Sequence, residues 1–447
     1  MMIGFPLTVS SQSLEPMSLR HDGTLSPYWA NDPFLSGNGR FVVFVGNDLA
    51  ADDGGGQHVY LYDRVEQELE RVDEAWDGGP ASGAASLATN RNARVVTNDG
   101  RWVFFLSNAD DLIQGKNAAQ RTQLWARDRV LGVNHLVSQA SDGAEADAGA
   151  MSDYSAAPNM PRAIFNSIST NLDADDTDST PNTFWRDVLG GNTRLACMRK
   201  VVDARGGDVL EKVDFCNELT LSCGGQFMAF TTSEDGLAEL DETFASYKDL
   251  YAGNVFSGDY VLLTRDHLGA PASHSYHRAA SIDCANRRVA FVTASALSSS
   301  DPDNDWDLYV RDIVSEQVWW IDLGTNLLDQ AVISSNGAHV AFTTSAALDV
   351  VNDQNGSITD VYRIDFAGDI PSAPILVSLH NGQSPNLNVE KPTVADSGAV
   401  AFASGSTNLM PFPEFTPSLD IFATGALSEI FTDGFESGNS TNWSGSP

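Results

Sequence analysis

"SGNGRFVVFVGNDL", residues 36–49, reads as a tight turn, an apolar strand and the start of an acidic loop. "TNDGRWVFFLSNADDL" at 97–112 repeats that order of residue types with different letters. Anchoring on the phenylalanine that closes the apolar strand gives seven copies: Phe44, Phe105, Phe165, Phe230, Phe291, Phe342 and Phe402. The spacings are 61, 60, 65, 61, 51 and 60 residues. Self-similarity at such a period means one repeat architecture rather than a string of unrelated domains.

A second marker runs in phase with the first. "HVYLYD", "QLWARD", "NTFWRD", "DLYAGN", "DLYVRD", "DVYRID" and "DIFATG" follow the seven anchors in order, each with an aromatic at its third place: Tyr60, Trp125, Phe184, Tyr251, Tyr309, Tyr362 and Phe422. Alternating apolar residues ending at a turn are strand chemistry. A third, shorter marker ("ELERVD", "NHLVSQ", "TRLACM", "YVLLTRD", "QVWWIDL", "PILVSL") follows only six of them. The missing copy stands at the front, where "LEPMSLRHDG" (14–23) matches "NHLVSQASDG" (134–143). With a short strand before each anchor turn ("PFLSG", "RVVTN", "ELTLS", "AASID", "AVISS", "PTVAD"), each repeat holds four strands. The fold expected is all-β, a single seven-bladed β-propeller of four-stranded antiparallel blades over 14–425. Its ring is closed by the N-terminal strand, which removes the exposed sheet edges of an open array. Residues 1–13 are an extension and 426–447 a tail.

The pattern P-x-x-S-x-[DN]-G-R-x-V-x-F followed by D-[LV]-Y-x-x-D resembles the TolB-type propeller repeat, a relative of the WD repeat. The likeness covers nearly the whole chain and implies the fold; such propellers serve as scaffolds, transport accessories and enzyme subdomains, so it implies no one function. The third copy, "APNMPRAIFNS", lacks the glycine turn, which points to a distorted blade 3. The tail "IFTDGFESGNSTNWSGSP" resembles a short ending of secreted bacterial proteins and implies an extracellular or periplasmic location. "MMIGFPLTVSSQS" shows no basic region or apolar core of a signal peptide, which leaves a cytoplasmic location as the alternative.

With 26 Lys and Arg against 60 Asp and Glu, the net charge is −34. Such a surface repels nucleic-acid phosphates and anionic membranes, and no apolar run is long enough to cross a bilayer as a helix. The partners left are proteins, glycans or cations, bound by a monomer. Cys197 and Cys216 flank a segment that could be a hairpin, as a disulfide or as buried free thiols; Cys223 and Cys284 suggest nothing further.

The loops between second and third strands carry the acid and would ring one face around the channel. Two of them are candidate calcium loops, because calcium takes several oxygen ligands from a flexible loop: Asp173, Asp175 and Asp178 (with Asp176) in "DADDTD", and Asp301, Asp303 and Asp305 in "DPDND". Neither has the glycine and glutamate of an EF-hand, and Asp and Asn favour such turns without metal. His274 and His277 in "HSYH" are the one close histidine pair. Adjacent Trp319 and Trp320 must face opposite ways, one outward or toward the next blade. No G-x-S-x-G elbow is present, and no catalytic residue is assigned. Arg127, Arg186 and Arg311, beside Asp128, Asp187 and Asp312, read as structural pairs. The main expectation is therefore a non-catalytic binding scaffold presenting acidic loops to a protein, glycan or cation. The alternative is a polysaccharide-active lyase or hydrolase with its site at the channel mouth.

Overall fold

The computed structural model describes residues 14–425 apart from 21–22, 25, 27, 54–55, 235, 239–247, 273–276, 324–329 and 410–418. Seven antiparallel blades of four strands form a propeller. Blade 1 shows the plan: Ala30–Leu35 lies innermost, then Phe41–Asn47, Gln57–Asp63 and, outermost, Glu68–Arg71. In blade 6 the outer strand is split into Ile370–Pro371 and Ile375–Leu376, both paired to Asp360–Ala367. Blade 7 uses both ends of the chain, with Leu14–Pro16 pairing antiparallel to Asp420–Thr424. The Met17 N–H donates to the Ile421 carbonyl at 2.7 Å and the Ser18 hydroxyl to Asp420 at 2.8 Å, extending the closure.

The two sequence markers are cross-strand partners. In every blade the anchor phenylalanine sits directly opposite the third-strand aromatic, from Phe44 opposite Tyr60 to Phe402 opposite Phe422. All seven anchors are fully buried, and six of the pairs bring ring centroids to 5.7–6.0 Å, a favourable separation for tilted or stacked rings. Burying each anchor contributes roughly 1.5–3 kcal/mol. A polar latch then fixes the outer strand: Asp73, Ser138, Thr264, Ser378 and Ser18 accept the backbone N–H of Val59, Leu124, Leu250, Val361 and Ile421. At the anchor turns Gly39, Gly100, Gly225 and Gly337 all have positive φ. At Gly100 a Cβ would lie 2.1 Å from the Phe41 ring, so the turn can reach the neighbouring blade only as glycine.

The aspartates that end the third strands are structural, with partners other than those the sequence suggests. Asp63, Asp128, Asp187 and Asp312 take the arginines that open the second strands, Arg40, Arg101, Arg162 and Arg287. Neighbours on a strand point to opposite faces, so Arg127, Arg186 and Arg311 turn away. Arg127 pairs with Glu74 of blade 1, Arg186 donates to the carbonyls of Gln139, Ala140 and Gly191, and Arg311 to that of Arg265.

Blade 3 keeps its four strands without its glycine turn. The irregularity falls in blade 2, whose innermost strand is only Ala85–Ser86. The "RVVTN" segment keeps its place beside the second strand, where the Phe104 N–H donates to the Val95 carbonyl at 2.7 Å, the Thr97 N–H to that of Trp102 at 3.0 Å, and Val96 bridges Val103; the residues between it and Ser86 do not pair with that strand. Between blades 3 and 4, Met198–Val202 and Asp208–Lys212 form an extra hairpin closed by a Cys197–Cys216 disulfide. A second disulfide, Cys223–Cys284, joins blades 4 and 5. The two cysteines are 61 residues apart, the same distance as Phe230 and Phe291. They occupy one position on successive blades, a signal that the period already carried.

Candidate active site at the plugged channel mouth

The strand order fixes two unlike faces. Each innermost strand starts on the face that carries the crossovers and the second-to-third-strand loops, and ends at the anchor turns on the other face. The channel between them is not open. Residues 89–94 of blade 2, between the two pieces of its innermost strand, lie across it and bond to the other blades. Asn90 Nδ2 donates to the Leu219 carbonyl of blade 4 at 2.8 Å, and Arg94 Nη2 to Ile282 of blade 5 and Ile333 of blade 6 at 2.8 and 3.2 Å. Gln330 of blade 6 reaches across to the Arg91 carbonyl at 2.6 Å, and Ala156 of blade 3 donates to that of Arg94. The cause is local: the Asn90 side chain accepts the Asn92 N–H and its carbonyl that of Ala93, a tight turn that no strand can accommodate. Beneath the plug remains a cavity of about 30 Å³, walled by Arg94, Asn98, Ile333 and Thr393 among others, room for a water or two.

Above the plug is a ring of carboxylates that the sequence reading missed. Asp32, Asp153, Glu218 and Glu390 each stand twelve residues before an anchor, Phe44, Phe165, Phe230 and Phe402. Each therefore lies on an innermost strand, at a β-bulge. The register was available from the repeat; it went unread because acids are so frequent in this chain. Asp32 and Glu218 hold positive φ of 55° and 52°, backbone strain of the kind retained at functional sites. Asp32 pairs with Lys391 of the adjacent blade at 2.5 Å. Asp153 accepts the N–H of Glu218 at 2.6 Å and of Leu219 at 3.3 Å. Burial pushes its carboxyl up to about 6, with the Glu218 charge adding to the rise and those amides and Asn90 opposing it. A carboxyl poised there beside a second carboxylate can donate a proton and take one back.

The acidic loops spend most of their carboxylates on themselves. Asp53, Asp301 and Asp353 each accept the hydroxyl of the third-strand tyrosine, Tyr60, Tyr309 and Tyr362. Among the described residues one group brings three carboxylates within 4.8 Å: Asp301, Asp303 and Asp307. Asp305 is not in it; Asp307, the first residue of its strand, is. Asp307 accepts Trp320 Nε1 at 2.6 Å and the Leu323 N–H at 2.9 Å, and burial pushes it up to about 6. Three carboxylate oxygens so placed suit a divalent cation. In the other loop, Asp173 caps the Leu195 N–H, Asp175 is exposed, and Asp178 is paired with Lys212 at 2.7 Å, which holds it well below its usual range. Those three do not converge. His274 lies outside the described residues, and His277 opens an innermost strand. Trp319 is the tryptophan that faces the next blade, packing on Phe366 at 5.3 Å.

No protein-family model matches the sequence, and no curated protein is significantly similar to it. Solved structures do share its fold. An oligogalacturonate lyase in complex with manganese superposes with a TM-score of 0.50 at 10% identity, over 94% of this chain and 98% of its own. The β-propeller domain of the trilobed protease from Pyrococcus furiosus gives 0.49 at 11% identity, over 89% and 95%. TolB from Acinetobacter baumannii gives 0.38 at 11%, over 77% of this chain and 62% of its own. The chain has the β-propeller fold. The expectation of a non-catalytic scaffold is corrected here. It rested partly on the lack of room for a catalytic domain, and the lyase is an enzyme almost wholly accounted for by the shared propeller.

Proposed function

We propose that the chain is a polysaccharide-active enzyme that cleaves glycosidic bonds at the channel mouth, above the plug. What carries this is Asp153, a carboxyl on an innermost strand that bonds the Glu218 N–H at 2.6 Å and that burial pushes up to about 6. Asp153 supplies the proton that the leaving glycosidic oxygen needs, and Glu218 is the second carboxylate. The oligogalacturonate lyase supports the reading to the extent that a propeller of this size is sufficient for glycan chemistry. Two disulfides fit an oxidising compartment, so the enzyme works outside the cytoplasm. No helix among the described residues is long and apolar enough to cross a membrane.

The test is a screen of purified protein against polysaccharides, with release of reducing ends or of unsaturated sugar as readout. Asp153→Asn, which keeps one of the two amide acceptors, should lower turnover by roughly 100-fold or more in a protein that still folds cooperatively, its melt lowered but sharp. Because Asp153 acts in its protonated form, activity should fall as pH rises through about 6. Equal turnover by Asp153→Asn would remove the residue from the chemistry.

A further inference from the structure

The four aromatic side chains that stand more than a third exposed among the described residues are Tyr28 (52%), Trp29 (41%), Trp76 (58%) and Phe215 (44%). All four lie on the loop face; the turn face has none. Trp76 tips the crossover hairpin from blade 1 to blade 2, where its N–H donates to the Asp111 carbonyl. Trp29 and Phe215 are more telling. Each stands three residues before a carboxylate of the mouth ring, Trp29 before Asp32 and Phe215 before Glu218. Leu387, 44% exposed, stands in the same relation to Glu390. One repeat position thus carries an exposed apolar side chain on blades 1, 4 and 7, each next to a carboxylate.

We propose that Trp29 and Phe215 are sugar-ring platforms of the mouth, with Leu387 an apolar contact beside them, and that the substrate is a neutral oligosaccharide. This rests on the glycan-cleaving reading above. A pyranose offers a C–H face to an electron-rich ring and hydroxyl donors along its edge to carboxylates, the pairing that Trp29 and Phe215 present. An anionic sugar is disfavoured by the ring and by the net charge of −34. A cationic peptide gains little, because the ring's charge is largely answered: Asp32 holds Lys391, and Asp153 holds two amides and is raised toward neutrality. A neutral unit has no carboxyl beside its C5–H to favour elimination, so cleavage is hydrolysis. The Asp153 proton passes to the leaving oxygen as the C1–O bond breaks, water adds its oxygen to C1, and Glu218 takes the water's proton.

Titration of Asp153→Asn protein, followed by tryptophan fluorescence and calorimetry, tests this. The probes are cellohexaose, xylohexaose, maltohexaose, hexagalacturonate and a lysine-rich peptide. The expected result is saturable binding of a neutral hexasaccharide, weakened tenfold or more in Trp29→Ala and Phe215→Ala and largely kept in Trp29→Phe. Overturning results are preferential binding of hexagalacturonate or the peptide, no saturable response to any neutral probe, or undiminished affinity in both alanine variants. Wild-type turnover of a glycan whose affinity ignores Trp29 and Phe215 sinks the platforms and leaves the enzyme. Platform-dependent binding without wild-type turnover sinks the enzyme and leaves the platforms.

Discussion

Phe291 pairs with Tyr309 across the blade and is wholly buried, so Phe291→Ala should cost about 3–5 kcal/mol in denaturant unfolding. A near-neutral result would contradict the packing. Asp307 makes a pH prediction of opposite character. Its folded pKa is raised to about 6 by burial, so the native state binds the proton more tightly than the unfolded chain. Stability from this group is greatest below pH 4 and is lost as pH climbs to about 6. In Asp307→Asn that loss is absent, so the variant should gain roughly 1–3 kcal/mol on wild type between pH 4 and 7. Parallel pH profiles of the two proteins would show that Asp307 does not titrate abnormally.

Strands, turns and loops differ in what they owe to local sequence. Positions that pack (Phe44, Tyr60 and their six counterparts) were legible because burial imposes one residue class at a fixed register. The plug was not: "RVVTN" pairs as a strand from Val95 on, as its composition suggests, while the residues just before it are drawn inward only by contacts with blades 3 to 6. The mouth carboxylates were hidden for another reason: charge pattern means little where acids outnumber bases by more than two to one, and register alone distinguishes Asp153 from a solvated aspartate. The acidic loop of blade 5 gives the element-scale prediction. Calcium or manganese should raise the melting temperature of wild type at pH 7 if Asp301, Asp303 and Asp307 hold a cation, and Asp303→Asn should abolish the rise. An unshifted melt would leave those carboxylates as turn caps, like Asp53 and Asp353.

For the whole molecule, two closures matter. Removing residues 1–18 strips blade 7 of its outer strand and of the Ser18 latch, and should yield a protein that melts lower and associates through the bared Asp420–Thr424 edge; a monomer of unchanged melt would show the strand to be dispensable. The Cys223–Cys284 link spans 61 residues, worth about 4 kcal/mol by chain entropy. Replacing both with serine should therefore lower stability more than reduction of the hairpin disulfide does, read by denaturant melts under matched redox conditions.

The segment lying across the axis has a consequence for biosynthesis. In solenoid repeats each unit touches only its neighbours and can form as soon as it emerges. Here residues 89–94 are translated almost two hundred positions before Ile282 and about two hundred and forty before Ile333, the carbonyls that Arg94 serves. Until blade 4 leaves the ribosome Asn90 waits without its acceptor, and until blades 5 and 6 follow so does Arg94. The early blades are thus half of a clasp, and the molecule sets all at once when its later blades wrap that hub.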